Sequence, residues 1–221
     1  RRVLKLMRYS RARFGQSAEL LRLVFTGAEP TERVVDRFFR RNRKMGAKDR
    51  RFLSDIIYLC VRRKLELETL VELSGIAAST NIDAVVACAL LRYFEWSPED
   101  FVETDAREFG HELNQFLIQN PDDQLTFPQK FSLPDWLYEA LKAQFDEGEL
   151  TDLCRALLLP AQVDIRVNPR VNSRQKLVKA LQGENVEPIP TLLSSVGIRV
   201  AKRGPLQNSK AFRHGGFEFQ D

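Results

Sequence analysis

Residues 163–202, VDIRVNPRVNSRQKLVKALQGENVEPIPTLLSSVGIRVAK, decide the fold class of this chain. The stretch opens with VDIRVN, in which apolar and polar residues alternate as they do in a half-buried strand. SRQKLVKALQ follows with apolar residues at helical spacing and with Ser173 as its cap. The two prolines of VEPIPTLL exclude a helix there, and GIRVAK alternates again. The stretch therefore predicts strand, helix, strand, strand, which is an α+β unit.

The residues before 119 predict a different architecture, a compact bundle of short helices. SAELLRLVF, PTERVVDRFFRR and AKDRRFLSDIIYLCVRRK each place apolar residues on one helical face. NIDAVVACALLRYF is apolar nearly all round, which predicts a central helix. We therefore predict a mainly α protein, in which a helical bundle precedes an α+β domain that forms half of a ferredoxin-like or RRM-like sheet.

The boundaries follow from breaks in these patterns. QNPDDQLTFPQKFSLP has three prolines and no helical period, which predicts a linker, the alternative being a long loop within one domain. At the end of the chain RHGGFEFQD combines a Gly-Gly turn with an alternating strand, which we interpret as the first strand of a further domain beyond the sheet. The predicted domains are a bundle at 1–118, a linker at 119–134, an α+β domain at 135–212 and the start of another domain at 213–221.

Charge is distributed very unevenly along the chain, although the net charge is only +4. Residues 1–64 carry 19 Lys and Arg against 6 Asp and Glu, whereas residues 65–160 carry 5 against 19. A basic block of this kind favours a polyanionic partner, most simply a nucleic acid. The alternative is that the basic face serves the fold or a protein partner, for example by packing against the acidic block.

A basic stripe is predicted on the helix at residues 31–44. Four cations recur at helical spacing from Arg33 to Lys44, so they share one face while the apolar residues occupy the other. Such a stripe can follow a phosphate backbone, and the alternative is a solvated face. The RNA-binding residues predicted in this region are Arg33, Arg37, Arg40, Arg41, Arg43, Lys44, Lys48, Arg50 and Arg51.

A second basic cluster accompanies the predicted α+β unit. Arg166 and Asn168 share one face of the alternating strand, and no aromatic side chain stands among them for base stacking. We therefore expect recognition of RNA backbone and shape rather than of bases. The alternative for Asn168, which precedes Pro169, is a role in the turn. The residues predicted to bind RNA in this cluster are Arg166, Asn168, Arg170, Arg174, Lys202 and Arg203.

The sequence shows no catalytic or metal-binding constellation. Cys60, Cys88 and Cys154 lie far apart in apolar stretches, which is typical of buried small side chains, and the chain has only two histidines. It has no glycine-rich phosphate loop and no apolar run long enough to span a bilayer. We expect no metal, no cofactor held by these residues, no membrane contact, a monomer and a cytoplasmic location.

Two stretches resemble known families. MGAKDRRFLSDIIYLCVRRKLELETLV, residues 45–71, resembles the NusB-like domain, with KDR at 48–50 and VRR at 61–63 in the places of its signature. IRVNPRVNSRQKLVKALQGENV, residues 165–186, resembles the Sun/Fmu (RsmB-like) RNA cytosine-5 methyltransferases. That family places a NusB-like helical domain before a small N1 α+β domain. The residues that match its entry into the methyltransferase sheet are Gly216, Phe217, Gln220 and Asp221.

The resemblance implies a function for a longer parent protein. In this family a cysteine attacks C6 of a cytosine, and C5 then takes a methyl group from S-adenosylmethionine (SAM). No cysteine here stands in a Pro-Cys or Thr-Cys motif, so none takes the nucleophile role. We expect the chain to be the RNA-binding, substrate-positioning N-terminal region, ending where the SAM-binding domain begins, with small-subunit rRNA as its partner. Whether the chain counts as an enzyme stays open at this point.

A non-enzymatic function is the alternative. NusB proteins act in antitermination by binding RNA and protein, and the basic helical block is compatible with such a factor.

Overall fold

The computed structural model describes residues 2–76, 82–119, 121–201 and 206–220, with residues 2–9 described by their backbone alone. The chain forms two compact units, Arg1–Leu158 and Leu159–Asp221. The first unit is helical and the second is α+β, which confirms the predicted fold class. In the described ranges, no helix combines the length and the apolar character needed to cross a membrane.

The first unit is built from helices with short connections. Their bounds are α1 Arg2–Thr26, α2 Thr31–Arg41, α3 Ala47–Arg62, α4 Lys64–Leu73, α5 Ile82–Tyr93, α6 Gly110–Ile118, α7 Phe127–Phe131, α8 Asp135–Lys142 and α9 Glu147–Leu157, with 3₁₀ turns at Pro98–Phe101 and Pro121–Gln124. The residues just before several of these helices explain where the helices begin. Pro30 precedes α2 with its backbone already extended, and the Asp146 carboxylate accepts a hydrogen bond from the Glu149 amide at the start of α9.

The main core of this unit surrounds α5. Every residue from Ala84 to Leu90 is buried, which confirms the predicted central helix. Helices α1, α3 and α4 pack around it. Cys60 and Cys88 both lie in this core with no exposed surface, as the sequence predicted for structural cysteines. Burial raises the pKa of the Cys88 thiol to about 12, so it stays protonated near neutral pH.

A buried carboxylate joins α4 to α5. Glu66 is only 2% exposed, and an unpaired charge there would be costly. It accepts hydrogen bonds from Arg63 at 2.6 Å, from Arg92 at 3.1 Å and from the Tyr93 hydroxyl at 2.5 Å. Burial and the Glu66 charge together raise the pKa of Tyr93, which keeps its hydroxyl a donor. The hydrogen bonds within the cluster therefore offset the free-energy cost of burying the Glu66 carboxylate.

The segment predicted as a linker, residues 119–134, is helical in large part and belongs to the first unit. Thr126 and Gln129 form a reciprocal capping box at the start of α7, and Pro128 sits in its first turn. A proline is tolerated there because the first amides of a helix have no intrahelical acceptor to lose. The amide of Glu66 donates to Ser132 Oγ at 3.0 Å. The prolines thus mark helix starts rather than an unstructured connection.

Helices α7, α8 and α9 share a small core of their own. Its buried members are Phe131, Leu133, Leu150 and Cys154. The Phe127 ring stacks on the Tyr138 ring with centroids 5.2 Å apart. Helices α8 and α9 contribute side chains to this small core and group with the first unit, whereas the sequence assigned residues 135–158 to the α+β domain.

The second unit is a four-stranded antiparallel sheet covered by helices. Its elements are β1 Val163–Val167, α10 Arg174–Gly183, β2 Pro188–Pro190, β3 Gly197–Val200, α11 Lys210–Arg213 and β4 Phe217–Phe219, with strand order β2-β3-β1-β4. In the centre, Ile165 of β1 pairs with Ile198 of β3. Ile165 and Val167 are buried while Arg166 between them is exposed, which confirms the alternation read from VDIRVN.

The C-terminal strand completes this sheet, so the expectation that it lies beyond the sheet is wrong. Val167 pairs with Phe217 and Ile165 pairs with Phe219, and Phe217 is 1% exposed in the core. Gly215 makes the preceding turn at φ +68°, a conformation that favours glycine. The alternation of FEF predicted a half-buried strand but could not indicate which strand it pairs with. The unit is therefore a complete βαββαβ arrangement rather than half of one.

Candidate nucleic-acid interface

The basic stripe predicted on α2 is exposed to solvent. The apolar residues of the helix are buried on its other side, and these are Val34, Val35 and Phe38. The exposed cations of the helix are Arg33, Arg37, Arg40 and Arg41. One turn of helix separates Arg33, Arg37 and Arg40, so these charges form a row of about 5 Å spacing. The helix ends at Arg41 rather than at the predicted residue 44, so Lys44 lies in the following loop and not on the helical stripe.

Two members of the row are held by neighbouring acids. Arg37 pairs with Glu29 at 2.9 Å, and Arg40 pairs with Asp36 at 3.4 Å. The hydrogen bond from Arg37 holds the pKa of Glu29 below its ordinary value. Both pairs are solvent-exposed and therefore weak enough to exchange for a phosphate. The α2 arginines that make no ion pair in the described part of the chain are Arg33 and Arg41.

The loop between α2 and α3 is organised by Arg50. Its guanidinium donates to the carbonyl of Met45 at 3.1 Å and to that of Arg43 at 3.4 Å. Arg50 is thus occupied in holding the loop, and Arg51 pairs with Asp55 at 3.9 Å. The predicted cations that remain exposed on the loop and at the start of α3 are Arg43, Lys44, Lys48 and Arg51.

Arg13 on α1 joins this region, and the sequence analysis did not identify it. Its Nε donates to Asp49 of α3 at 3.2 Å, and its guanidinium lies 4.4 Å from the centre of the Phe52 ring. The pair spans two helices that are far apart in sequence. Nothing in the segment around Arg13 distinguishes it from the other arginines of α1, so no local signal could have found it.

Two clefts follow the groove between α1 and α2. One, of about 390 Å³, has Glu19 of α1 and Arg41 of α2 in its walls. The other, of about 270 Å³, is lined by Gln16 of α1 and by Lys44 of the following loop. Asn42 borders both, so the clefts adjoin. The groove therefore runs beside the row of cations on α2.

In the second unit, Asn168 has the turn role that the sequence left as its alternative. Its Nδ2 donates to the carbonyl of Gly215 at 3.0 Å, and its Oδ1 accepts from the Arg170 amide at 3.1 Å. The side chain of Asn168 therefore connects the end of β1 to the turn before β4.

Arg174 also has structural partners. Its guanidinium donates to the carbonyls of Thr191 at 3.1 Å and Ser194 at 2.8 Å, which fixes the loop between β2 and β3. Arg166 and Arg170 are exposed. Two further predicted residues, Lys202 and Arg203, lie outside the described residues.

The solvent face of the sheet carries a cleft of about 530 Å³. Asp164 and Arg199 in its wall form two hydrogen bonds of 2.8 Å each, and this contact lowers the pKa of Asp164. Leu192 and Leu193 at the rim are fully exposed. Asp164 and Arg199 thus compensate each other's charge, whereas Arg166 in the same cleft wall is exposed.

A βαββαβ unit with strand order β2-β3-β1-β4 is a ferredoxin-like domain. Residues 133–207 match the family model described as "Methyltr_RsmF/B-like, ferredoxin-like domain". Residues 133–207 are thus similar to the ferredoxin-like domain of the RsmF/B-like methyltransferases, and the resemblance found in the sequence is confirmed. The match begins near the predicted boundary at 135 and includes α8 and α9, so that boundary stays a prediction beside the division at Leu158.

A curated relative and a solved structure are also similar to this chain. Over 218 residues the chain is 23% identical to the probable ribosomal RNA small subunit methyltransferase B of Synechocystis sp., covering 86% of this chain and 49% of the relative. The crystal structure of PH0851 matches with a TM-score of 0.61 and 16% identity over 94% of this chain and 52% of that one, a likeness of fold. The chain spans about half the length of each.

The described residues do not fit the SAM that the family resemblance implies. The loop after β1 has the sequence NPRVNS and no glycine, so it offers no close backbone approach to a cofactor. In the cleft on the sheet, the Asp164 carboxylate is already bound to Arg199. We assign no SAM-binding residue in this chain. Among the residues described, no group of His, Cys, Asp and Glu is arranged to hold a metal ion.

Proposed function

We propose that the chain is the RNA-binding, substrate-positioning N-terminal region of a SAM-dependent rRNA cytosine-5 methyltransferase. The observation that carries the proposal is the exposed row of cations on α2 and its following loop, in a chain matched to methyltransferases. Phosphates of folded RNA would lie along this row and release counterions on binding. Each contact of this kind adds affinity without reading sequence.

The second unit has a different part in this proposal. Arg166 and Arg170, both exposed, would contact the RNA backbone and position the target for a catalytic domain outside these residues. That domain would bind SAM and supply the nucleophilic cysteine. The first unit would act as a NusB-like module, and the protein would be a cytoplasmic monomer whose partner is small-subunit rRNA.

The match of residues 133–207 to methyltransferases supports this function over the antitermination factor considered from the sequence. The relative that carries the words "ribosomal RNA small subunit" in its name supports the choice of RNA.

The test uses the chain of 221 residues with fragments of small-subunit rRNA and SAM labelled in its methyl group. We expect binding that weakens as salt rises, with no label transferred to the RNA. Methyl transfer by this chain alone would overturn the division of roles. Failure to bind any rRNA fragment at low salt would overturn the RNA-binding role.

A further inference from the structure

The two walls of the groove between α1 and α2 differ in chemical character. Four residues of α1 recur at helical spacing and face α2, namely Ala12, Gln16, Glu19 and Leu23. The opposite wall is cationic, with Arg37 and Arg41 beside the larger cleft. Two carboxylates line the groove, and one of them, Asp49 in the smaller cleft, is paired with Arg13. The other is Glu19, beside the cations of the larger cleft.

Glu19 is not neutralised by these cations. In the ranges that the structure describes, Glu19 makes no ion pair. Arg37, in the wall of the same cleft, forms its ion pair with Glu29. A carboxylate only accepts hydrogen bonds, and it would repel a phosphate placed in the cleft. A ligand that enters the cleft must therefore bring hydrogen-bond donors to Glu19 and place its anionic groups further along, toward Arg41.

We propose that this cleft binds an unpaired guanine of the RNA, with the two Glu19 oxygens accepting from N1–H and N2–H. This inference rests on the proposed RNA-binding function and deepens it. Guanine is the RNA base that presents two adjacent donors on its Watson–Crick edge, which matches a carboxylate. Leu23, 43% exposed in the cleft wall, gives the base an apolar contact. Arg41 and Lys44 then meet the flanking phosphates.

The bound nucleotide must be unpaired for two reasons. The Watson–Crick edge is free only outside a duplex, and unpaired bases are the usual targets of sequence-specific RNA recognition. A cleft of about 390 Å³ between two helices also admits a base but not a double helix. The structure thus assigns base reading to α1 and phosphate binding to α2.

The experiment compares two short unpaired RNAs that differ at one base, a guanosine or an inosine among uridines. Inosine keeps N1–H and lacks the N2 amino group, so it removes one of the two hydrogen bonds. Fluorescence anisotropy is measured with the full chain, with Glu19→Gln and with Glu32→Gln. Glu32 is an exposed acid on α2 that lines neither cleft, so its substitution is the matched change of charge.

We expect the wild-type chain and Glu32→Gln to prefer guanosine by about tenfold, and Glu19→Gln to lose the preference. Glutamine provides one acceptor oxygen where the carboxylate provides two. Equal affinity of the wild-type chain for both RNAs, or a preference that survives in Glu19→Gln, would overturn the guanine site. If salt-sensitive binding persists in that case, the proposed function stands. No binding of either short RNA at low salt would overturn the guanine site, whereas the proposed function is decided by the binding of the small-subunit rRNA fragments.

Discussion

Arg92 of α5 donates two hydrogen bonds to the Asp122 carboxylate, at 2.6 and 2.8 Å. This contact, from Nη2 of Arg92 to both carboxylate oxygens, ties the 3₁₀ turn at Pro121–Gln124 to the central helix of the bundle. Because Arg92 also binds the buried Glu66, the turn is connected to the core through charged groups rather than through apolar packing alone.

The first prediction concerns this contact. Asp122→Ala should destabilise the first unit by about 1 kcal/mol, a modest loss because the Asp122 side chain is 38% exposed. Amide hydrogen exchange across 121–131 should accelerate. Asp123→Ala is the control, since the Asp123 side chain is exposed beside it. Unchanged exchange in Asp122→Ala would show that packing alone holds the segment.

The second prediction concerns Glu66 itself. Glu66→Ala should lower the free energy of unfolding by about 3 kcal/mol, because it leaves Arg63 partly buried without its acid and leaves Arg92 with Asp122 alone. Denaturant unfolding measures the loss. Glu72→Ala, an exposed acid on the same helix, should stay within about 0.5 kcal/mol of wild type. Similar losses for the two variants would contradict the role of the buried cluster.

A third prediction is a pH dependence that comes from Asp164. The hydrogen bond from Arg199 lowers the pKa of Asp164 in the folded state. The contact therefore stabilises the fold above the ordinary aspartate pKa of about 3.9, and this stability is lost as pH falls through the lowered folded value. Asp164→Asn should show a smaller fall in Tm on acidification than wild type, whereas Glu187→Gln should behave as wild type. An identical acid response of all three proteins would refute it.

A fourth prediction separates two arginines that the sequence grouped together. Arg174→Ala should destabilise the second unit by about 1–2 kcal/mol, since its guanidinium fixes the carbonyls of Thr191 and Ser194. Arg170→Ala should leave stability unchanged and weaken RNA binding, because its side chain is exposed. Thermal unfolding and RNA titration of both variants check this. A stable Arg174→Ala variant would mean that the loop is held by other contacts.

The fold was predictable where the local sequence pattern alone determines what an element packs against. The apolar run from Ala84 to Leu90 can only be buried in a helical bundle, and the alternation around Arg166 fits a sheet with one open face. The local pattern does not determine which strands pair with each other. Phe217 and Phe219 alternate equally well in any sheet, so the pairing of β4 with β1 could not be found without the structure. The proline signals at 119–134 were ambiguous because proline both ends helices and begins them.

The residues of the candidate interface also fall into two groups, those that local spacing predicts and those that depend on long-range contacts. The row on α2 follows from helical spacing, and the structure places it in solvent as expected. Side-chain partners over long range do not follow from spacing. Arg13 pairs with Asp49 across two helices, and Arg174 donates to carbonyls that are 17 and 20 residues away. These contacts decide which cations are available to RNA, and they become visible only in the folded chain.

The measurement that tests the central claim most directly is RNA binding across a salt series. With about five phosphates neutralised, log K should fall against log salt with a slope of roughly −3.5 to −4.5. Replacing Arg33, Arg41 and Lys44 by Gln should make that slope shallower by about 2 to 3. The matched control replaces Lys130, Lys142 and Arg155, which lie in the acidic part of the sequence. Absence of binding at low salt, or a slope that the first triple variant leaves unchanged, would contradict the account.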